Sequence, residues 1–112
     1  MILIIGGYAA GKRSYVREQL GYTDAQIADG VLNDLPVVCN AQDLALTCPT
    51  ETLLPALLKK DVVIINEMGA GVIPMEKEQR MAREAGGRLA ILLAQNARQV
   101  IRIVCGLPQI LK

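Results

Sequence analysis

The chain alternates between short aliphatic runs and longer amphipathic segments. Met1–Ile5 and Val62–Ile65 are continuous aliphatic runs, a pattern typical of parallel strands that are buried on both faces. Val100–Cys105 predicts another strand, and Leu35–Cys39 predicts a short one whose proline stands near its start, where a strand tolerates it. Residues 109–111 are expected to add a short antiparallel edge.

Helices are predicted between these strands. Thr23 and Gln26 have the spacing of a capping box, so a brief helical turn is expected before Asp29-Gly30. The resulting order, βα(β)αβαβ(β), predicts one domain over residues 1–112. It is a three-layer α/β fold with a mainly parallel sheet of four or five strands. The predicted helices are Lys12–Leu20 with Gly21 as its stop, Ala41–Leu46, a third between Thr50 and Asp61, and Glu76–Ala97.

The first strand leads directly into a glycine-rich loop. Gly6, Gly11 and Lys12 satisfy most of G-x-x-x-x-G-K-[ST], the loop whose backbone N–H groups hold the phosphates of a nucleotide. Glycines let the backbone approach the anion, the next helix presents unpaired N–H groups, and the lysine adds a full positive charge. The sequence therefore predicts a P-loop, with a glycine-rich turn and a surface lysine as the alternative. The predicted binding residues are Gly6, Gly7, Tyr8, Ala9, Ala10, Gly11, Lys12, Arg13 and Ser14.

The position after the lysine departs from this pattern. A serine or threonine there would hold Mg²⁺, but the chain has Arg13, and Ser14 follows one place later, about 100° further round the helix. Mg²⁺ is therefore expected only if the site is catalytic, with Ser14 as its candidate ligand. Arg13 either binds a phosphate bidentately or faces solvent.

Composition excludes several classes of function. The chain has no histidine, which removes Cys/His zinc sites, Ser-His-Asp triads and histidine-bound intermediates. Twelve basic and eleven acidic residues give a net charge of +1, so neither nucleic acid nor an anionic membrane is expected as a partner. Cys39, Cys48 and Cys105 are odd in number and far apart, which indicates reduced thiols. With no basic leader and no apolar run of membrane-spanning length, we expect a cytoplasmic protein.

A second glycine-rich stretch follows the strand Val62–Ile65. Asn66–Pro74 has the sequence N-E-M-G-A-G-V-I-P, which resembles N-E-V-G-x-G-I-V-P of the bifunctional adenosylcobinamide kinase / adenosylcobinamide-phosphate guanylyltransferase family of cobalamin biosynthesis. The resemblance continues without a gap from about residue 62 to the C-terminus. Further matching positions are Arg80, Arg83, Glu84 (aspartate in the family), Gly87, Ala94, the ending Val104–Pro108, and Lys112.

This resemblance implies a RecA-like P-loop fold, GTP or ATP as the nucleotide, and a homo-oligomer such as a trimer. It also implies two reactions. The first transfers a phosphoryl group from a nucleoside triphosphate to the hydroxyl of cobinamide. The second transfers GMP from GTP to the new phosphate through a guanylylated histidine, and the absence of histidine excludes this route for the chain.

The chain also departs from the family where the kinase reaction is concerned. Family members are longer between the first helix and about residue 50, and Arg13 replaces the residue that binds Mg²⁺. The stretch Val37–Asn40 lacks the acidic residue that the family carries near the end of the corresponding strand.

The candidate catalytic residues are Lys12 and Glu67. Ligands bind beyond the carboxyl ends of parallel strands, so the loops that follow Gly6 and Asn66 are expected to lie side by side. Lys12 would bridge the terminal phosphates. Glu67 would act as a base toward the acceptor hydroxyl, hold a metal-bound water, or only cap the N–H groups of its loop. Tyr8 either covers the nucleotide or is exposed.

Two functions therefore stay open. One is a kinase for cobinamide without the transferase reaction. The other is a non-catalytic protein that binds a nucleotide or a corrinoid, or serves as a partner subunit in cobamide metabolism.

Overall fold

A mainly parallel sheet of six strands organises the protein, in the order β2-β3-β4-β1-β5-β6. The structure is a computed structural model that describes residues 1–67 and 76–112, apart from the side chain of residue 79. The loop predicted over Met68–Pro74 lies outside the described residues. The strands are β1 (Ile2–Gly6), β2 (Ile27–Asp29), β3 (Val37–Cys39), β4 (Val62–Asn66), β5 (Gln99–Val104) and β6 (Leu107–Ile110). The helices are α1 (Lys12–Gln19), α2 (Ala41–Leu44), α3 (Thr50–Leu58) and α4 (Lys77–Asn96), with a 3₁₀ turn at Asp24–Gln26.

Helices cover both faces of the sheet, which confirms the predicted three-layer α/β fold. On one face, α1 packs Val16 against Ile4, Ile64 and Ile101. On the other face, α2, α3 and α4 bury a larger aliphatic core. Among its residues are Leu3, Val38, Leu44, Leu53, Leu57, Val63, Ile65, Leu89 and Leu93. Because β1 and β4 contribute side chains to both cores, their sequences contain no polar alternation.

The prediction of four or five strands is wrong, because it omitted β2. This strand has three residues, pairs in parallel with β3, and follows the 3₁₀ turn whose capping box joins Thr23 and Gln26. Two apolar residues before Asp29 are too short a run for periodicity to reveal. Pairing with β3 in the folded protein, rather than the local sequence, makes this segment a strand.

The C-terminal edge is a tight hairpin. Val104 of β5 pairs with Leu107 of β6, so Cys105 and Gly106 form a two-residue turn with φ of 51° and 77°. Positive φ at both central residues is the property of a type I′ turn, which matches the twist of the flanking strands. The strand β6 therefore begins two residues before the predicted edge at 109–111.

In the described parts of the chain, 1–67 and 76–112, none of the helices has the length and apolar character needed to cross a bilayer.

Candidate functional site

The two glycine-rich stretches start next to each other at the carboxyl edge of the sheet. Gly6 and Asn66 are paired residues of β1 and β4, and the backbone N–H of Glu67 donates to the carbonyl oxygen of Gly6 over 2.7 Å. The predicted proximity of the two loops is confirmed at their first residues. This edge is the one at which parallel α/β sheets bind their ligands.

The loop between β1 and α1 is tightly curled. Ala9 has φ of 58°, and Gly11, the N-cap of α1, has φ of 94°. The N–H of Ala10 donates back to the carbonyl oxygen of Gly7 over 3.2 Å. Left-handed residues in such a loop turn successive N–H groups toward one side, which is the backbone geometry of an anion-binding concavity.

Packing explains why the first and last glycines of the loop are glycines. A Cβ at Gly6 would lie 2.7 Å from the carbonyl oxygen of Ile103 on β5, closer than real side chains come. A Cβ at Gly11 would lie 3.3 Å from Cα of Gly106, in addition to the strain of its positive φ. The N–H of Gly106 also donates to the carbonyl oxygen of Ala10 over 2.9 Å, so the β5–β6 turn is hydrogen-bonded to the loop.

Lys12 is the charged residue that this loop encloses. Its side chain is only 7% exposed, and Nζ donates to the carbonyl oxygen of Gly7 over 2.5 Å. Burial lowers the pKa of the Lys12 ammonium, while the carboxylate of Glu67 opposes that shift. The ammonium therefore has a loop carbonyl and a nearby carboxylate to compensate its desolvation, and its charge remains close to the loop N–H groups.

Glu67 also forms an ion pair with a residue of the neighbouring strand on the other side of β1. Arg102 Nε lies 3.0 Å from Glu67 Oε1, although the N–H does not point at that oxygen. Arg102 is the partner of Ile5 in the β1–β5 register. The pair thus spans the ends of three adjacent strands, and Glu67 lies between two cations, Lys12 and Arg102.

A cavity of about 350 Å³ opens beside the loop. Its described lining comprises residues 8–14 together with Cys39, Asn40, Ile64 and Asn66. Tyr8 is 91% exposed at this cavity and does not cover the loop. The lining contains two cationic side chains, Lys12 and Arg13, and no carboxylate, so it is suited to an anion.

A chain of hydrogen bonds runs along the edge of the sheet from β4 to β2. The N–H of Asn66 donates to Gln42 Oε1 over 3.1 Å, Gln42 Nε2 donates to Asn40 Oδ1 over 3.3 Å, and Asn40 Nδ2 donates to Asp29 Oδ1 over 2.6 Å. Because the first donor is a backbone N–H, it fixes the orientation of both amides in turn. Asn40 itself is left-handed, with φ of 53°.

Arg13 lies along this edge, with 42% of its side chain exposed. Its Nε lies 3.4 Å from Asp24 Oδ1, and one terminal nitrogen lies 4.0 Å from both Asp29 Oδ2 and Cys39 Sγ. Burial, with the nearby Asp29, raises the pKa of the Cys39 thiol. The side chain therefore joins α1 to the ends of β2 and β3, and phosphate binding by Arg13 stays a prediction.

Mg²⁺ does not fit the residues that surround the loop. Arg13 carries only donors and a permanent charge. The hydroxyl of Ser14 accepts a hydrogen bond from the guanidinium of Arg17 over 3.3 Å. A positive charge therefore already lies beside the oxygen that Mg²⁺ would have to bind. Mg²⁺ in proteins is usually held by one or two carboxylates together with phosphates and water, and no carboxylate is among the described residues that line the cavity beside the loop.

Sequence reasoning identified the loop and Glu67 but missed several residues around them. The clearest signal was Arg102, the one charged residue inside the apolar strand β5. Asp29 supplies a carboxylate at the strand edge, one strand away from the position where the acid was expected. The hydrogen bond that Asp29 accepts from Asn40 had no local signature, because Asp29 ends β2 and Asn40 follows β3, eleven residues later.

Comparison with known proteins gives one family. A family model described as CobU, cobinamide kinase / cobinamide phosphate guanyltransferase, matches residues 34–111. The matched range contains β3, β4 and the stretch Asn66–Pro74, and the loop Gly6–Ser14 lies before it, so the assignment of that loop depends on its own sequence and geometry. A search of curated proteins finds no match.

Proposed function

Because the chain belongs to the cobinamide kinase / cobinamide phosphate guanyltransferase family, we propose that it binds a nucleoside triphosphate, GTP or ATP, at the loop Gly6–Ser14. The observation that carries this proposal is Lys12, a buried ammonium inside a curled loop, beside a cavity whose described lining contains no carboxylate. A buried charge is costly unless an opposite charge or hydrogen bonds compensate it. The Gly7 carbonyl and the Glu67 carboxylate compensate part of that cost in the free protein, and a bound triphosphate would add further negative charge beside the ammonium.

The proposal is tested by titrating GTP and ATP into the protein by calorimetry. Lys12→Ala is expected to weaken binding by about tenfold or more, since a charge-assisted contact contributes about 1.5–3 kcal/mol. Lys59→Ala, which removes an exposed lysine at the end of α3, is the matched control and should bind as wild type. Absence of binding to either nucleotide would refute the proposal, as would equal binding by the two variants.

A second candidate is the kinase reaction, with cobinamide as the acceptor. The position of Glu67 favours it, because its carboxylate stands at the end of β4, close enough to Lys12 to raise the pKa of that residue. A carboxylate there could accept the proton of an acceptor hydroxyl. Incubation with GTP or ATP and adenosylcobinamide, in wild type and in Glu67→Gln, tests this role. Product from wild type alone would support it, and absence of product from wild type would leave nucleotide binding as the function.

Guanylyl transfer through a histidine is not part of the proposal, since the chain contains no histidine.

We also propose a homo-oligomer and a cytoplasmic location. All four residues of the edge strand β6 are exposed, with Leu107 at 70%, and an uncovered apolar edge favours pairing with another copy. The three cysteines are free thiols, which supports a location in the reducing cytoplasm. Light scattering during gel filtration measures the oligomeric state, and a monomer would contradict that part.

A further inference from the structure

Arg13 occupies the position in the chain from which a P-loop normally holds its metal ion. It is the second residue of α1, directly after Lys12, where the motif requires a hydroxyl that binds Mg²⁺. A guanidinium has five N–H donors and no acceptor, so it repels a cation and attracts phosphate oxygens. The substitution therefore inverts the preference of this position from a metal ion to an anion.

The guanidinium is also held at the carboxyl edge of the sheet by residues of other elements. It extends from the start of α1 to Cys39, the last residue of β3, with a nitrogen–sulfur distance of 4.0 Å. The carboxylate of Asp24 lies 3.4 Å from its Nε, and the carboxylate of Asp29 lies 4.0 Å from one of its terminal nitrogens. Asp29 is in turn fixed by its 2.6 Å hydrogen bond from Asn40. Arg13 thus has a defined position between the loop and the strand ends.

Donors of Arg13 remain available for a ligand. The contacts above engage Nε and one of the two terminal nitrogens, which leaves the N–H groups of the other terminal nitrogen to a ligand. Arg13 lines the same cavity as Lys12, and no carboxylate is among the described residues of that lining. Residues 68–75 contain no Asp, Glu, His or Cys that could add a charged metal ligand.

We infer that the guanidinium of Arg13 replaces Mg²⁺ as the positive charge beside the terminal phosphates, so that this loop binds a nucleoside triphosphate as the metal-free anion. The inference rests on the proposed function, because it concerns the same loop. It assigns Arg13 as a ligand-binding residue, and Asp24 and Asp29 as the residues that position it. Mg²⁺, which neutralises the phosphates in solution, should compete with the protein for the charge of the ligand.

The test is calorimetric titration of ATP and of inorganic tripolyphosphate at constant ionic strength, with excess Mg²⁺ or with EDTA. Wild type is expected to bind at least as tightly in EDTA as in Mg²⁺. Arg13→Ser, which restores the hydroxyl of the motif, should lose about tenfold or more of its affinity in EDTA and recover affinity when Mg²⁺ is added. Arg13→Lys, which keeps the charge, should remain independent of Mg²⁺.

Arg88→Ser is the matched control, because it removes an exposed arginine from a helix, α4, and does not line the cavity beside the loop. It should keep the wild-type response to Mg²⁺. Wild-type binding that requires Mg²⁺ would overturn the inference and leave nucleotide binding intact. So would an Arg13→Ser variant that binds in EDTA as tightly as wild type. Absence of binding in both buffers would refute the proposed function itself. Circular dichroism of each variant confirms that it is folded.

Discussion

The backbone N–H of Glu67 donates a hydrogen bond of 2.7 Å to the carbonyl oxygen of Gly6. This bond continues the β1–β4 ladder by one residue and joins the P-loop to the motif that begins at Asn66. Residues 61 positions apart thereby share one edge of the sheet. A loop with the sequence of a P-loop and the first two residues of the stretch that resembles the family consequently lie side by side.

Gly6 is predicted to be intolerant of any side chain. Gly6→Ala would place Cβ 2.7 Å from the carbonyl oxygen of Ile103 and 3.3 Å from the side chain of Lys12, and overpacking of this kind costs about 1–3 kcal/mol. The free energy of unfolding in urea measures the loss. Gly7→Ala is the control, because a Cβ there meets no atom within 4 Å, and its expected change is within about 0.5 kcal/mol. Equal stability of the two variants would contradict the close approach of Ile103 on β5 to Gly6 on β1.

Gln42 is predicted to stabilise the sheet edge through its amide. Gln42→Ala removes the acceptor of the half-buried Asn66 N–H and the donor to Asn40, and an unsatisfied buried donor costs about 1–3 kcal/mol. Urea unfolding again gives the measurement. Gln95→Ala, an exposed glutamine of α4, controls for the intrinsic effect of the substitution. A loss no larger than that of the control would contradict the hydrogen-bonded chain.

The charge of Lys12 is predicted to make nucleotide binding sensitive to alkaline pH. Burial holds the pKa of Lys12 below its usual 10.5 in the free protein, and bound phosphates favour the charged form. Below that lowered pKa the ammonium is charged in both states and affinity is full. Above it, binding requires uptake of a proton, so affinity falls by up to about tenfold per pH unit until the pKa of the bound state is reached.

Titrations with ATP over the alkaline range in wild type and Lys12→Arg check this dependence. Arginine keeps its charge throughout, so the variant should show a flatter profile whatever its absolute affinity. Identical profiles for the two proteins would assign the dependence to another group.

Glu67 is predicted to set the pH at which the affinity for ATP begins to fall. Its carboxylate raises the pKa of Lys12 against the effect of burial, so Glu67→Gln should shift the loss of ATP affinity to lower pH. Glu18→Gln, at an exposed acid on α1, should leave the profile unchanged. A shift in the opposite direction would contradict this prediction, because the lost carboxylate and the Arg102 charge that it no longer pairs would both lower the pKa of Lys12.

The local sequence predicted those elements whose identity depends on their own residues. The aliphatic runs of β1 and β4 allow little else than buried strands, and the helix Lys77–Asn96 lies within one residue at each end of the predicted Glu76–Ala97. The strand Ile27–Asp29 was not predictable, because two apolar residues carry no periodicity. Its conformation depends on hydrogen bonds to β3.

The candidate site divides in the same way. Gly6, Gly11 and Lys12 carry their chemistry in a fixed local spacing, so the sequence by itself determined the predicted P-loop motif, the excluded histidine chemistry and the family. The tertiary structure alone decided that Arg13 contacts Asp24 and Asp29, that Glu67 stands between Lys12 and Arg102, and that Asn40 and Gln42 link the strand ends. The physical reason is that these contacts join residues whose proximity depends on the order of strands in the sheet, which local periodicity does not encode.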